Sequence, residues 1–473
     1  MNTLSRSLRS LAALSLLGSS ALLGGCPASQ PIPDPIPQAQ PEAPKPAPKV
    51  TVPPVPQELV ARSGVESFEV DGLKVVLKRA PGKPVVDVEL LIRGGLATAT
   101  PQNIGLESLA LDVASAGGTT STPRDEFKRK LESMGSGIGG GGGRDSSSLS
   151  MSALRPYFDD TWALFSQVLT QPAFDEQELT LARTRTLEAI QSREDSPDQY
   201  LPIYLNEVYF KGHPYAWEPS GTVENVQRFT RQDLADHFKA LLSRERLVLF
   251  VVGDVDRPTL EGLIKRDLAS LPKGNWVAPE VPEPTPPKAG VSAKSKEAAT
   301  NYMMGFFRAP APDHPDYYPL LVATSYLSDR LFEEVRTKRN LTYAVSSGTS
   351  SRRSNVGYFY TTTVKPNETV QVIYQEIDRL QAQPISAKEL NDQVQVFLTE
   401  HFMRQETVSA QAGALVSYEN VGGGWEQSLV FLDRIKAVTP EEIQRVSKTY
   451  LTQIHWAYLG KPEAADAALL GSK

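Results

Sequence analysis

Hydrophobic and polar positions alternate along Ser67 to Val70, and the apolar-rich Leu73 to Lys78 follows after Asp71-Gly72, so that Ser67 to Lys78 predicts a β-hairpin with a tight two-residue turn. Val85 to Ile92 starts with the same alternation and then turns wholly apolar, as a strand entering a core does. Ser146 to Leu154 predicts a further strand, and Leu247 to Gly253 and Trp456 to Gly460 predict apolar strands that each end at glycine. Between them the period changes to that of helices, with long helical patterns over Asp175 to Glu194 and Ser386 to Arg404. Strands grouped apart from helices predict an α+β fold, with mainly antiparallel sheets packed against helices.

The pattern occurs twice. Ala153-Leu154-Arg155-Pro156 closes a strand and opens a helix through Trp162 and Phe165, and a second helix begins near Asp175. Thr363-Val364-Lys365-Pro366 does the same before a helix through Val372 and Ile377, with its successor beginning near Ser386; Pro156 and Pro366 stand 210 positions apart. Thr230 with Asp233 and Thr439 with Glu442 repeat a helix start at an offset of 209, each placing a hydroxyl acceptor and a carboxylate at the free amides of a first turn. A nearly constant offset across separated signals predicts two tandem homologous domains.

Proline marks their borders. Residues 27–57, rich in Pro, Ala, Gln, Lys and Glu, lack the apolar content for a core and predict an extended tether, up to roughly 90 Å long at ~3.1 Å per residue. A second proline-rich stretch, drawn as a linker over 272–296, separates a first domain at 58–271 from a second at 297–473. Ahead of the tether, residues 1–26 combine Arg6 and Arg9, an apolar stretch from Leu11 to Leu23 too short to span a bilayer, and Leu23-Gly24-Gly25-Cys26. This resembles a bacterial lipoprotein signal, which implies cleavage before Cys26 and acylation of its thiol. By resemblance to lipoprotein sorting in Gram-negative bacteria, Pro27 rather than an aspartate after that cysteine implies a periplasmic protein lipid-anchored to the outer membrane.

Composition narrows the chemistry. With 473 residues, 40% hydrophobic and 22% charged, the chain is long enough for substantial cores, and a net charge of −6 gives no reason to expect nucleic acid as a partner. The 5 histidines are scattered, with no pair at i,i+4 on a helix, and the lone Cys26 has no internal disulfide partner. Gly135 to Gly143 lacks the Lys-Ser/Thr of a phosphate loop and predicts a mobile loop before the strand at Ser146.

The hairpin, the helix near Gly105, Lys211-Gly212-His213-Pro214-Tyr215, the Gly221 turn, Val252-Gly253-Asp254 and the stretch from Arg330-Leu331-Phe332 to Leu341-Thr342-Tyr343 together resemble insulinase/pitrilysin-type zinc metallopeptidases. The likeness covers nearly everything after residue 60, and the processing-peptidase branch fits best. It implies the insulinase-like metallopeptidase fold. Active members carry H-x-x-E-H on a helix, two histidines binding zinc and the glutamate activating water, with a distal glutamate ligand about 76 residues later. Here Ser108 and Asp112 fall on the histidine positions and Leu111 on the general-base position, while Glu188 falls on the distal ligand, 76 after Asp112. Serine is a poor zinc ligand and leucine takes no proton, so no metal and no catalytic residue is expected in this chain. Asp112 and Glu188 read as water-facing helix acids rather than a calcium or magnesium site.

The family's substrate-contacting arginine and tyrosine lie in a stretch resembling L-R-x-x-x-G-L-x-Y. Arg336 and Tyr343 fit it, Asn340 replaces the glycine, and Arg339 competes for the arginine role. The resemblance then implies a non-catalytic subunit of a heterodimeric peptidase. The expected partner is a zinc-peptidase paralogue carrying H-x-x-E-H and the zinc ion, this chain not being a protease alone. The expected substrate is a peptide or unfolded protein, and the lipid anchor makes the membrane a further partner. The competing expectation is a non-proteolytic scaffold or peptide-binding lipoprotein of the same fold.

Overall fold

The computed structural model describes residues 52–473. The segments read above as a signal and a tether, Cys26 among them, lie outside the described residues up to residue 51. Among the described residues no helix is long and apolar enough to cross a membrane.

The first sheet is built from β1 (Val65–Val70), β2 (Leu73–Arg79), β3 (Val85–Arg93), β4 (Gly137–Gly141), β5 (Ser146–Leu154) and β6 (Leu247–Gly253), in the order β1-β2-β6-β3-β5-β4. Asp71 and Gly72 both take positive φ, 51° and 85°, as the two-residue turn between β1 and β2 demands. The second sheet contains β7 (Gly290–Ser295), β8 (Asn301–Arg308), β9 (Thr342–Thr349), β10 (Val356–Thr363) and β11 (His455–Gly460), in the order β7-β11-β8-β10-β9. With β1 set aside, the two orders are the same strand for strand. Each sheet has one parallel pair in the same place, β2 with β6 and β7 with β11, and is otherwise antiparallel. The architecture is thus α+β in two homologous halves.

The helices that matter for the site are α1 (Leu106–Ala116), α2 (Phe158–Thr170), α3 (Glu176–Gln191), α4 (Pro197–Tyr209) and α5 (Arg231–Leu241) in the first half. Their counterparts in the second are α6 (Tyr317–Leu331), α7 (Pro366–Ala382), α8 (Ala387–Arg404), α9 (Val408–Val421) and α10 (Pro440–Tyr450). The starts of α5 and α10 are closed by reciprocal capping boxes, Thr230 with Asp233 and Thr439 with Glu442, and Ser386 with Glu389 caps α8 the same way. Asp175 accepts from the amides of Gln177 and Glu178 to start α3.

One face of each sheet is covered by helices of its own half. Trp162, Phe165, Leu234 and Phe238 lie on Val75, Leu77, Val88 and Leu90 in the first; Ile373, Ile377, Ile443 and Val446 lie on Met303, Phe359 and Trp456 in the second. The opposite faces are covered by exchange. Helix α9 of the second half brings Val408, Ala412 and Leu415, with Trp425, onto Val76, Leu91, Val248, Phe250 and Val252 of the first sheet. Helix α4 of the first half brings Leu201, Leu205 and Tyr209 onto Phe306, Ala457 and Leu459 of the second. Burial on both faces is why β6 is an unbroken apolar run. Each large side chain so buried contributes about 1.5–3 kcal/mol, so the exchange binds the halves into one body.

Two borders differ from the sequence reading. The linker drawn over 272–296 ends in β7, whose small and polar Gly-Val-Ser-Ala-Lys-Ser carries no apolar alternation because it is a partly exposed edge strand. Of the tether drawn to residue 57, Val52 and Pro53 belong to the folded body. Val52 is buried against the second half and donates its amide to Asp313 O at 2.8 Å, and the Pro53 carbonyl accepts from Gln427 and Arg434 at 3.1 Å each.

Candidate functional site

Helix α1 begins where two left-handed glycines meet, Gly105 (φ 93°) against Gly221 (φ 86°); a Cβ on Gly105 would stand 2.8 Å from Gly221 Cα. This approach brings the helix start under the loop at Pro219, whose carbonyl accepts from Ser108 Oγ at 2.7 Å. Leu111, at the general-base position, is completely buried in the first core. Asp112 meets Arg185 Nη2 of α3 at 3.4 Å, and the same guanidinium reaches Glu178 Oε1 at 3.0 Å, while Lys128 holds the other Glu178 oxygen at 2.7 Å. Burial raises the Asp112 carboxyl pKa, with Arg185 pulling against it. Glu188 stands exposed on α3, outside this network.

These residues do not fit a zinc ion. The serine is engaged by a carbonyl, the leucine has no lone pair, and the aspartate is matched to a guanidinium. The hollow beside them, lined by Glu107, Ser108, Gly142, Ser147, Pro219 and His237, is about 20 Å³, room for one water. Glu107, which the motif alignment passes over, bonds Ser147 Oγ and lies 3.4 Å from His237 Nε2 and 3.7 Å from Arg246. The carboxylate thus stands between hydroxyl and imidazole, which is the wrong order for an imidazole to activate the serine.

The glycine run read as a mobile loop is an edge strand instead. β4 pairs with β5 from Gly137 opposite Ser152 to Gly141 opposite Ser148, and α1 rests on it. A Cβ on Gly142 would collide with Ser108 Oγ, and one on Gly140 would lie 3.0 Å from Leu111 O. Gly140 and Gly142 therefore serve close helix-to-strand packing.

The second-half residues form a separate site on a different framework. After α6 the chain widens into a π-helical turn, Phe332–Thr337, closed by Leu341 N donating to Val335 O and Asn340 N to Arg336 O. Asn340 takes φ 50°, the left-handed conformation that glycine would supply and that asparagine tolerates best among other residues. The chain then enters β9, an edge strand. Tyr343 on it is 80% exposed, and the Arg336 guanidinium lies 4.5 Å from the centre of its ring and 4.7 Å from that of Phe332.

Arg339 points elsewhere. It donates to the carbonyl and the carboxylate of buried Glu334, both at 2.7 Å, and Arg330 and Lys338 reach the same carboxylate at 2.8 Å each. The Lys338 and Arg339 bonds come first among the causes that hold the Glu334 pKa down at about 2. Among the described residues Arg336 makes no ion pair or hydrogen bond through its guanidinium. What this arrangement offers is a free guanidinium beside an exposed phenol, two donors able to meet a peptide carbonyl.

Family profiles match both halves: one described as Insulinase (Peptidase family M16) over residues 74–222, and one described as Peptidase M16 inactive domain over 228–397. The chain is 22% identical over 374 residues to the non-peptidase homolog YmxG of Helicobacter pylori, which covers 78% of this chain and 86% of that protein. Its fold superposes on the crystal structure of a peptidase M16 inactive domain from Pseudomonas fluorescens with a TM-score of 0.75 at 20% identity, over 84% of this chain and 98% of that one. It also superposes on the periplasmic protease PqqL from Escherichia coli with a TM-score of 0.72 at 17% identity, over 84% of this chain but 45% of that longer one.

Proposed function

The chain belongs to the insulinase family of peptidases, family M16, as a non-peptidase homologue, and we propose that it is the substrate-binding subunit of a heterodimeric zinc peptidase. In this reading a paralogue with H-x-x-E-H brings the zinc ion and the water-activating glutamate. This chain brings Arg336 and Tyr343, which donate to the carbonyl of an extended peptide and stabilise the negative charge that develops there. The observation that carries the reading is the asymmetry between the two halves. Ser108, Leu111 and Asp112 are consumed by packing and an ion pair, whereas the Arg336 guanidinium and Tyr343 phenol stay available at the surface.

The proposal extends to place: a periplasmic subunit lipid-anchored at Cys26 to the outer membrane, with flexible peptides or unfolded proteins as substrates. Co-expression with a paralogue bearing H-x-x-E-H tests it. The expected result is copurification, zinc at one equivalent per heterodimer, and peptide hydrolysis that falls about 10²-fold or more in Arg336→Ala with Tyr343→Phe while the heterodimer stays intact. Full activity of that double variant would overturn the role of the pair. Full activity of the paralogue without this chain would leave the scaffold reading instead.

A further inference from the structure

A cavity of about 1000 Å³, in the size range of ligand pockets, opens where α8 and α9 cross α6 and β9; it shares no lining residue with α1 or with the Arg336–Tyr343 pair. Its apolar wall comes from Leu321, Phe397, Leu415, Val421, Leu429 and Phe431. Polar side chains complete the lining, and several of its hydroxyls are already used within the protein. Ser347 donates to Thr324 O at 2.6 Å, Ser325 to Gln393 Oε1 at 2.9 Å and Ser428 to Trp425 O at 2.7 Å, and the Thr324 and Thr349 hydroxyls meet at 3.1 Å. A peptide in this space would bring a carbonyl and an amide per residue, and these engaged hydroxyls have little left to offer them. A hydrocarbon chain asks for nothing of the kind.

One end of the lining is cationic. Lys78 of β2 turns to this side of the first sheet, with apolar Val65 and Val252 as its strand neighbours, near His401 and Arg404 of α8. Arg404 is matched by Glu400 at 3.1 Å. Lys78 is half-buried and, among the described residues, makes no ion pair or side-chain hydrogen bond. Water withdrawn from an ammonium group is best replaced by a counter-charge; of the two carboxylates in the lining, Glu400 is taken by Arg404 and Asp329 accepts from Gln393, and neither meets Lys78. From this union of an apolar wall with an unmatched lysine, the geometry points to a long-chain carboxylate as ligand, its head group against Lys78 and its acyl chain along the wall of α9.

Isothermal titration of the full chain with dodecanoate, below its micellar concentration, tests this. The expected result is saturable one-to-one binding, about tenfold or more tighter than dodecanol, the loss of one charge-assisted contact. Lys78→Met should bring dodecanoate down to the affinity of dodecanol, and Ala414→Phe, which fills the cavity from α9, should abolish binding of both. No saturable binding, or equal affinities of the unaltered chain for acid and alcohol, overturns the proposal. So does tighter binding of an apolar peptide with a free C-terminal carboxylate, which would make the cavity a peptide site. The acid-against-alcohol comparison needs no variant, so it decides the matter even where a substitution impairs folding.

Discussion

Arg336 and Tyr343 face each other at 4.5 Å across the seam between a π-helical turn and an edge strand, and neither is needed to hold that seam together. A cation over an exposed ring is worth about 0.5–1 kcal/mol. What fixes the pair is the buried carboxylate of Glu334, two residues before Arg336, which gathers Arg330, Lys338 and Arg339.

Glu334→Gln should therefore destabilise the chain by about 1–3 kcal/mol at neutral pH, read from urea unfolding, because Arg339 loses its carboxylate partner and Lys338 keeps only Glu333 at 3.7 Å. The pH dependence has a definite sign. The folded-state pKa, about 2, lies below the ordinary 4.5, so this stabilisation is fully present above pH 4.5 and is lost as pH falls towards 2. The difference in stability between the chain and Glu334→Gln should shrink over that window. A difference that stays constant from pH 5 to pH 2 would show that the charge is not what matters.

Much of this was legible in the chain. Cap chemistry is local, so Thr230, Thr439 and Ser386 announced their helices, and Asp71-Gly72 announced its hairpin. The repeat was legible because Pro156 and Pro366 open equivalent helices. The exchange of α4 and α9 was not: the unbroken apolar run of β6 says that both faces are covered, but not by which helix. β4 was invisible because a strand is recognised by alternating side chains, and glycine has none. The choice between Arg336 and Arg339 turned on a π-helical turn, which shifts side-chain directions away from ordinary helical spacing.

Restoring the zinc motif should fail. Leu111→Glu places a carboxylate in a fully buried apolar site, at a cost of about 3 kcal/mol or more, and the space beside Ser108 holds one water. The triple variant Ser108→His, Leu111→Glu, Asp112→His is expected to melt well below the unaltered chain and to retain less than stoichiometric zinc by elemental analysis. A folded triple variant with one zinc per chain would show that α1 is a working scaffold merely lacking its ligands.

The packing of α1 on β4 separates two neighbouring glycines. Gly140→Ala should cost about 1–3 kcal/mol, since its methyl group meets Leu149 and Leu111 O, whereas Gly139→Ala meets nothing within 4 Å and should gain about 0.4–1 kcal/mol from a stiffer unfolded chain. Thermal unfolding of the two variants checks this. Equal midpoints would mean that the strand is not held against the helix.

Glu419 of α9 joins the halves from the other side. Its carboxylate, almost wholly buried, accepts from Lys74 of β2 and Arg93 of β3 at 2.7 Å each and from the Trp425 amide at 3.3 Å. Nearly three helical turns earlier Ser409 donates to Asp87 of β3 at 2.5 Å. Removing one member of a buried pair costs 3–5 kcal/mol where the others stay dry; Lys74 and Arg93 are about one-third exposed and can rehydrate, so Glu419→Ala should cost about 2–3 kcal/mol. The loss falls on the contact between halves rather than within either core. Urea unfolding followed by tryptophan fluorescence and by far-ultraviolet circular dichroism should therefore coincide for the unaltered chain and separate in the variant, Trp425 reporting the earlier opening of α9. Coincident curves in Glu419→Ala would mean that the apolar exchange alone keeps the two halves together.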